Sequence, residues 1–145
     1  MGAVNHILKS KGGAIFSTTP TQTVYEALEI MMEKNISALV VLEIEKLVGI
    51  FTERDYARKV ILNGKSSRET LIKEVMSVNV ITVCPENSID DCMRLMSGKF
   101  IRHLPVVQHD KLLGLISIGD VVTYIIEDQK FVIENLEHFI YGNYI

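Results

Sequence analysis

Two stretches read against each other decide the fold: "TPTQTVYEALEIMMEKNISALVVLEIEKLVGIFTERDY" (Thr19–Tyr56) and "CPENSIDDCMRLMSGKFIRHLPVVQHDKLLGLISIGDV" (Cys84–Val121). Laid together without a gap, Pro20 falls on Pro85, Met31 on Met96, Leu39 on Leu104, Gly49 on Gly114 and Asp55 on Asp120. Val24 meets Ile89 and Thr52 meets Ser117, so the differences keep size and polarity. A self-match over such a span marks a duplicated supersecondary unit, and it bounds the fold before any single element is assigned.

Each copy reads the same way. "TVYEALEIMMEKN" sets Val24, Ala27, Leu28, Met31 and Met32 at helical spacing behind Thr23, a side chain suited to capping the first turn. "SIDDCMRLMSGK" repeats the pattern, with Ser88 as cap and Ile89, Cys92, Met93, Leu95 and Met96 turned inward. The methionines read as core filler, since an unbranched thioether fits irregular gaps. "SALVVLE" and "RHLPVVQ" are short apolar runs that read as buried strands. Polar turns ("IEK", "HDK") lead from them into second strands, "LVGIFT" and "LLGLIS". A further helix follows each Asp: "YARKVILNG" in the first copy, ending near Asn63-Gly64, and a long one from Val121 in the second.

The predicted fold is therefore mixed α/β (α+β): tandem helix-strand-strand-helix repeats around small sheets, a pseudo-twofold pair sharing one core. The expected boundaries are an N-terminal segment (1–13), a first repeat (14–66), a polar link with a short helical piece (67–78), a second repeat (79–130) and a helical tail (131–145).

Composition narrows the function. Of 145 residues, 48% are hydrophobic and 23% charged, which is the balance of a globular domain with a real core. A net charge of -3 provides no chain-wide basic field, so nucleic acid is not expected as the main partner. No apolar run approaches the roughly 20 residues that span a bilayer, and "MGAVNHILKSKGG" lacks the apolar stretch of a secretory signal. Cys84 and Cys92 are not in metal-binding spacing, so free thiols in a reducing cytoplasm are expected, with no metal.

"GLISIGD" (Gly114–Asp120) raises the question of catalysis, because a serine in a glycine-flanked apolar run resembles a hydrolase nucleophile. A nucleophile elbow needs glycine two residues either side, and Leu115 stands at the first of those positions. His103 is the one histidine in an apolar run, whereas His6 and His138 lie near the ends and His109 falls in a turn. A nucleophilic serine needs a base oriented by a third group, which this pattern does not provide.

Gly-x-x-Thr/Ser-x-x-Asp at the second strand-to-helix junction of both copies resembles the CBS domain pair, a family named after cystathionine β-synthase. The motifs are "GIFTERD" (Gly49–Asp55), "GLISIGD" (Gly114–Asp120) and "IRHLPVV" (Ile101–Val107), and the resemblance runs from about Ala14 to Gln129. It is similar above all to the small stand-alone members of bacteria and organelles. The resemblance implies a regulatory, non-catalytic module for energy sensing that binds AMP, ADP, ATP or NAD(H) and forms a flat homodimer. A separate regulated protein partner is also implied. It points to Thr52, Arg54, Asp55, Ser117 and Asp120 as ligand contacts, with Arg102, His103, Ser37 and Ala38 from the segments before the first strands. Thr18, Thr82 and Pro105 complete the implied set.

The residue chemistry suits that role. A hydroxyl at a strand end before a helix sits where free N–H groups and the helix dipole favour an anion. A carboxylate three residues on can accept from both hydroxyls of a ribose. Arg54, Arg102 and His103 offer donors for phosphate, and Gly49 and Gly114 would let the strands approach a ligand ring. The competing reading is purely structural: Ser/Thr-x-x-Asp is also close to a capping box, which a duplication would copy as faithfully as a site. A module whose sites are vestigial and whose product is its surface is the alternative function. The tail adds Ile125, Phe131, Leu136, Phe139 and Ile140, an apolar stripe that a homodimer would bury.

Overall fold

The computed structural model describes residues 2–141. Helix α1 (Ala3–Lys11) is followed by β1 (Ser17–Thr18), α2 (Val24–Lys34), β2 (Ala38–Glu43) and β3 (Lys46–Thr52). A short α3 (Glu53–Asp55) continues as a π-wound stretch, Tyr56–Ile61, and α4 (Ile72–Val75) leads into the second half. The second half comprises α5 (Ile89–Lys99), β4 (His103–Gln108), β5 (Lys111–Ser117) and the long α6 (Ile118–Tyr141).

The duplication is visible in the sheets. β2 runs antiparallel to β3 with Ala38 opposite Thr52, and β4 to β5 with His103 opposite Ser117. Both ladders shift register at the same point of the repeat, between Val41 and Leu42 and between Val106 and Val107. β1 adds a parallel strand to β2, and Val83 makes the corresponding parallel bridge to Val106. Each hairpin turns on two residues with positive φ, Ile44-Glu45 and His109-Asp110, which matches the right-handed twist of the flanking strands.

Thr23 and Ser88 cap α2 and α5 as expected, each accepting from the N–H three residues on while Glu26 or Asp91 returns the bond. Two boundaries differ from the sequence reading. The helices placed after Asp55 and from Val121 begin earlier, at Glu53 and Ile118, because each Asp is the third helical residue and closes a capping box at the strand end. Met31 and Met96 are buried as filler, but Met32 and Met93 face outward.

Two cores form where one shared core is expected. The first gathers Val24, Ala27, Leu39, Val41, Phe51 and Val60, the second Cys92, Met96, Leu104, Val106, Ile116 and Val121. Each is completed by the helix that leads into the other repeat. Ile72 and Val75 of α4, which precedes the second repeat, belong to the first core. Val4 and Ile7 of α1, which precedes the first, belong to the second. Burying each such side chain stabilises by about 1.5–3 kcal/mol, so the crossed helices fasten the halves together.

The glycines of the motif serve this crossing, not a ligand ring. A Cβ at Gly114 would come within 2.7 Å of Leu8 Cδ2, and one at Gly49 within 2.7 Å of Met76 Sδ and 3.0 Å of the Ser77 carbonyl oxygen. Among the described residues, no helix is long and apolar enough to cross a membrane.

Candidate functional site

The repeat interface holds two cavities related by the duplication. The first, about 550 Å³, lies between the β3–α3 junction (Thr52–Asp55) and the segment Lys99–His103 that enters β4. Ser77, Asn79, Val80 and Ile81 supply part of its wall. The second, about 520 Å³, lies between the β5–α6 junction and Asn35–Ala38, with Lys11 and Ala14–Phe16 as the corresponding wall. Each cavity thus takes its helix start from one repeat and its pre-strand segment from the other.

At the first junction Thr52 Oγ1 accepts from the Asp55 N–H (3.1 Å), and Asp55 Oδ2 accepts from the Thr52 N–H (3.0 Å) and hydroxyl (3.2 Å). Asp55 Oδ1 accepts from Ser77 Oγ (3.2 Å) and pairs with Lys59 Nζ (3.1 Å). This carboxylate is buried, and Thr52 and Lys59 of the first repeat converge on it with Ser77 of the link. Arg54 reaches across the interface, its Nη1 donating to the Phe100 carbonyl (3.2 Å). At the second junction Ser117 Oγ accepts from the Asp120 N–H (3.2 Å) and Asp120 Oδ2 from the Ser117 N–H (2.8 Å). Lys11 Nζ, from α1, donates to Asp120 Oδ2 and to the Leu115 carbonyl, both at 2.7 Å.

The capping reading is therefore correct as geometry at both junctions. A cap engages one carboxylate oxygen, of about four acceptor positions in all. At Asp120 the cap and Lys11 both use Oδ2, whereas at Asp55 Ser77 and Lys59 also occupy Oδ1, so a ligand there must displace them.

Of the residues singled out from sequence, Thr52, Arg54, Asp55, Arg102 and His103 line the first cavity. Ala38, Ser117 and Asp120 line the second, and Ser37 and His103 line both. Thr18, Thr82 and Pro105 line neither: Thr18 is buried in β1 with its hydroxyl on Gln22 Oε1 (2.8 Å), Pro105 is buried within β4, and Thr82 is exposed. The structure adds Lys59, Lys99, Phe100 and Lys11. Lys59 was legible as a cation four residues after Asp55 on one helix face. Lys11 was not, because only the crossing of α1 brings it to Asp120.

His103 stands between the cavities. Burial holds its pKa below the ordinary imidazole value, Lys11 and Arg102 push it the same way, and Asp120 opposes them. Its Nε2 lies 3.1 Å from Ser37 Oγ. Although His103 faces Ser117 across the ladder, the Ser117 hydroxyl accepts the helix N–H and the histidine engages Ser37.

The family profile of the CBS domain matches residues 13–62 and 72–127. The chain belongs to the CBS-domain family. Among CBS proteins, it is 38% identical to the CBS domain-containing protein CBSX3, mitochondrial, of Arabidopsis thaliana, over 97% of this chain and 73% of that one. A signal-transduction protein with CBS domains from Burkholderia ambifaria, described as putative, superposes with a TM-score of 0.84 at 47% identity, covering 87% of this chain and 95% of that one. The CBS domain pair of protein MJ0100, solved in complex with 5′-methylthioadenosine and S-adenosyl-L-methionine, superposes at 0.75 with 28% identity, covering 86% and 96%. The tandem CBS fold read from the duplicated motifs is thus the observed one.

Proposed function

We propose that this CBS pair is a regulatory module that binds adenosine compounds, with AMP, ADP, ATP and NAD(H) as the leading ligands, in the two cavities between its repeats. The observation that carries the reading is the duplicated junction: each cavity combines a hydroxyl, an acid and a helix start from one repeat with a pre-strand segment from the other. Asp120 clamps the ribose with the oxygen its cap does not use, and at Asp55 the ribose hydroxyls replace Ser77 and Lys59 on Oδ1. Arg54, Arg102 and His103 face the phosphates. The adenosine ligands of the MJ0100 pair support this class of ligand.

The module binds and does not break bonds; its output passes to a regulated protein. It works as a homodimer. Val132, Ile133, Leu136 and Ile140 on α6 are each about half exposed or more, a stripe beyond what the repeat itself can cover. That stripe also favours the second reading, in which the interaction surface is the product and the cavities are vestigial.

Thermal unfolding of the full chain in the presence of AMP, ADP, ATP, NAD+, NADH and S-adenosylmethionine tests the choice. Ligand at about a hundred times its Kd stabilises by about 2.7 kcal/mol, a rise of several degrees. An unchanged midpoint with every compound leaves the interaction reading.

A further inference from the structure

We propose that the two cavities are specialised by charge: the first takes a phosphate-bearing nucleotide, and the second takes an adenosine compound that carries no phosphate. This deepens the reading above, and rests on it. The duplication makes the comparison direct, because each position in one cavity has a counterpart in the other.

Arg54, Arg58, Lys59, Lys99 and Arg102 surround the first cavity, against Glu53 and Asp55. Five cations less two acids leave three positive charges. Among the described residues, one of those cations is held by an acid, Lys59 on Asp55, while Arg54 donates to a neutral carbonyl and keeps its charge for a ligand. Around the second cavity stand Lys11, Glu53 and Asp120, one cation less two acids, or one negative charge. His103 lines both cavities and is counted neutral in each, in line with its lowered pKa. The single cation is committed, since Lys11 Nζ bonds Asp120 Oδ2 and the Leu115 carbonyl at 2.7 Å each.

The sequence shows where the charge went. Counterparts of Arg54 and Arg102 are Gly119 and Ser37, and those of Arg58 and Lys59 are Thr123 and Tyr124. Lys99 corresponds to Lys34, which lies 5.4 Å over the Phe16 ring and does not line the second cavity. The apolar walls of the two cavities correspond, Ile15, Phe16, Ile36 and Leu115 of the second matching Val80, Ile81, Ile101 and Ile50 of the first, so the difference between them is one of charge. A multiply charged phosphate tail would enter a field of the wrong sign in the second cavity, whereas an aromatic base and a short apolar substituent would meet a matching wall.

Calorimetric titration of the full chain with ATP, 5′-methylthioadenosine and tripolyphosphate decides it. The expected result is one ATP and one 5′-methylthioadenosine bound together, with tripolyphosphate competing weakly against ATP alone. The double substitution Arg54→Ala/Arg102→Ala should lower ATP affinity about tenfold or more and leave 5′-methylthioadenosine within about twofold. Gly119→Arg, which restores the missing cation, should add a second ATP per chain. That position is open, a Cβ there meeting only Ser117 Oγ at 3.5 Å. Two equivalent ATP sites in the unaltered chain, or mutual displacement of ATP and 5′-methylthioadenosine one for one, overturns the specialisation while sparing the proposed function. Tripolyphosphate binding as tightly as ATP overturns the nucleotide assignment of the first cavity. No binding of any adenosine compound overturns the proposed function itself.

Discussion

Ser37 Oγ and His103 Nε2 meet at 3.1 Å, and the pair forms part of the wall of both cavities. Ser37 ends the approach to β2 and His103 begins β4, so the bond ties the first repeat to the second at the point where ligands on either side would adjoin. A ligand in either cavity would border this contact.

The contact has a pH dependence whose sign follows from burial. Because His103 is held below its usual value of 6.5, the unfolded chain takes up a proton before the folded one does. Above that value both states are neutral and His103 has no effect on stability. As pH falls through it the folded state is penalised, until its own lower pKa is passed. Thermal midpoints measured between neutral and mildly acidic pH should fall more steeply for the native chain than for His103→Gln. Parallel curves would show that the imidazole titrates freely.

The two acids are not equivalent as structural residues. Asp55 is buried and holds Thr52, Ser77 and Lys59, whereas Asp120 is half-buried and holds Ser117 and Lys11. Asp55→Ala removes a cap and strands a lysine and a hydroxyl, at a cost of about 2–3 kcal/mol, and Asp120→Ala costs about 1 kcal/mol. Urea unfolding gives the ranking, and the reverse order would contradict it. Each variant should also weaken adenosine-ligand binding at its own cavity about tenfold.

Phe100 ends α5 with φ of 55°, a left-handed conformation that costs a non-glycine residue about 1–2 kcal/mol, and its side chain is 78% exposed beside the first cavity. Its counterpart in the first repeat is Asn35, with φ of 54°, a residue that adopts this conformation readily. Phe100→Asn should raise stability by roughly 1 kcal/mol and weaken nucleotide binding by removing an aromatic platform. A stabilised variant with undiminished affinity would remove Phe100 from the site.

Gly49 and Gly114 occupy the same position of the motif but face different obstacles. An added methyl at Gly114 meets the end of the flexible Leu8 side chain, while at Gly49 it meets Met76 and the Ser77 backbone. Gly49→Ala is expected to cost about 1–3 kcal/mol and Gly114→Ala less, because a side chain rotates where backbone does not. Differential scanning calorimetry of the two variants distinguishes them, and equal losses would mean that Leu8 is as rigid as the backbone.

Homodimerisation is expected to rest on α6. Light scattering should give twice the chain mass for the intact protein, and a chain ending at Gln129 separates the contribution of the exposed tail from that of the repeat helices. A monomer at micromolar concentration would refute the dimer.

The sequence by itself determined the duplication, the helix-strand-strand-helix unit, the caps at Thr23 and Ser88, and the pairing of Thr52 with Asp55 and Ser117 with Asp120. These are local features: periodicity, a hydroxyl at a strand end and an acid three residues on act within one or two turns of chain. The choice between cap and site was not local, and the capping geometry is the one observed at both carboxylates. Only the tertiary structure decided that α1 and α4 cross to the opposite repeats, since an apolar face as short as Ile72 with Val75 states that it needs burial but not against which core. That crossing brings Lys11 to Asp120, 109 residues along the chain, and leaves the Thr52 cavity ringed with cations. The unequal charges are legible as Arg54 against Gly119 and Arg102 against Ser37, but which of them share a cavity depends on distant segments that only the tertiary structure brings together.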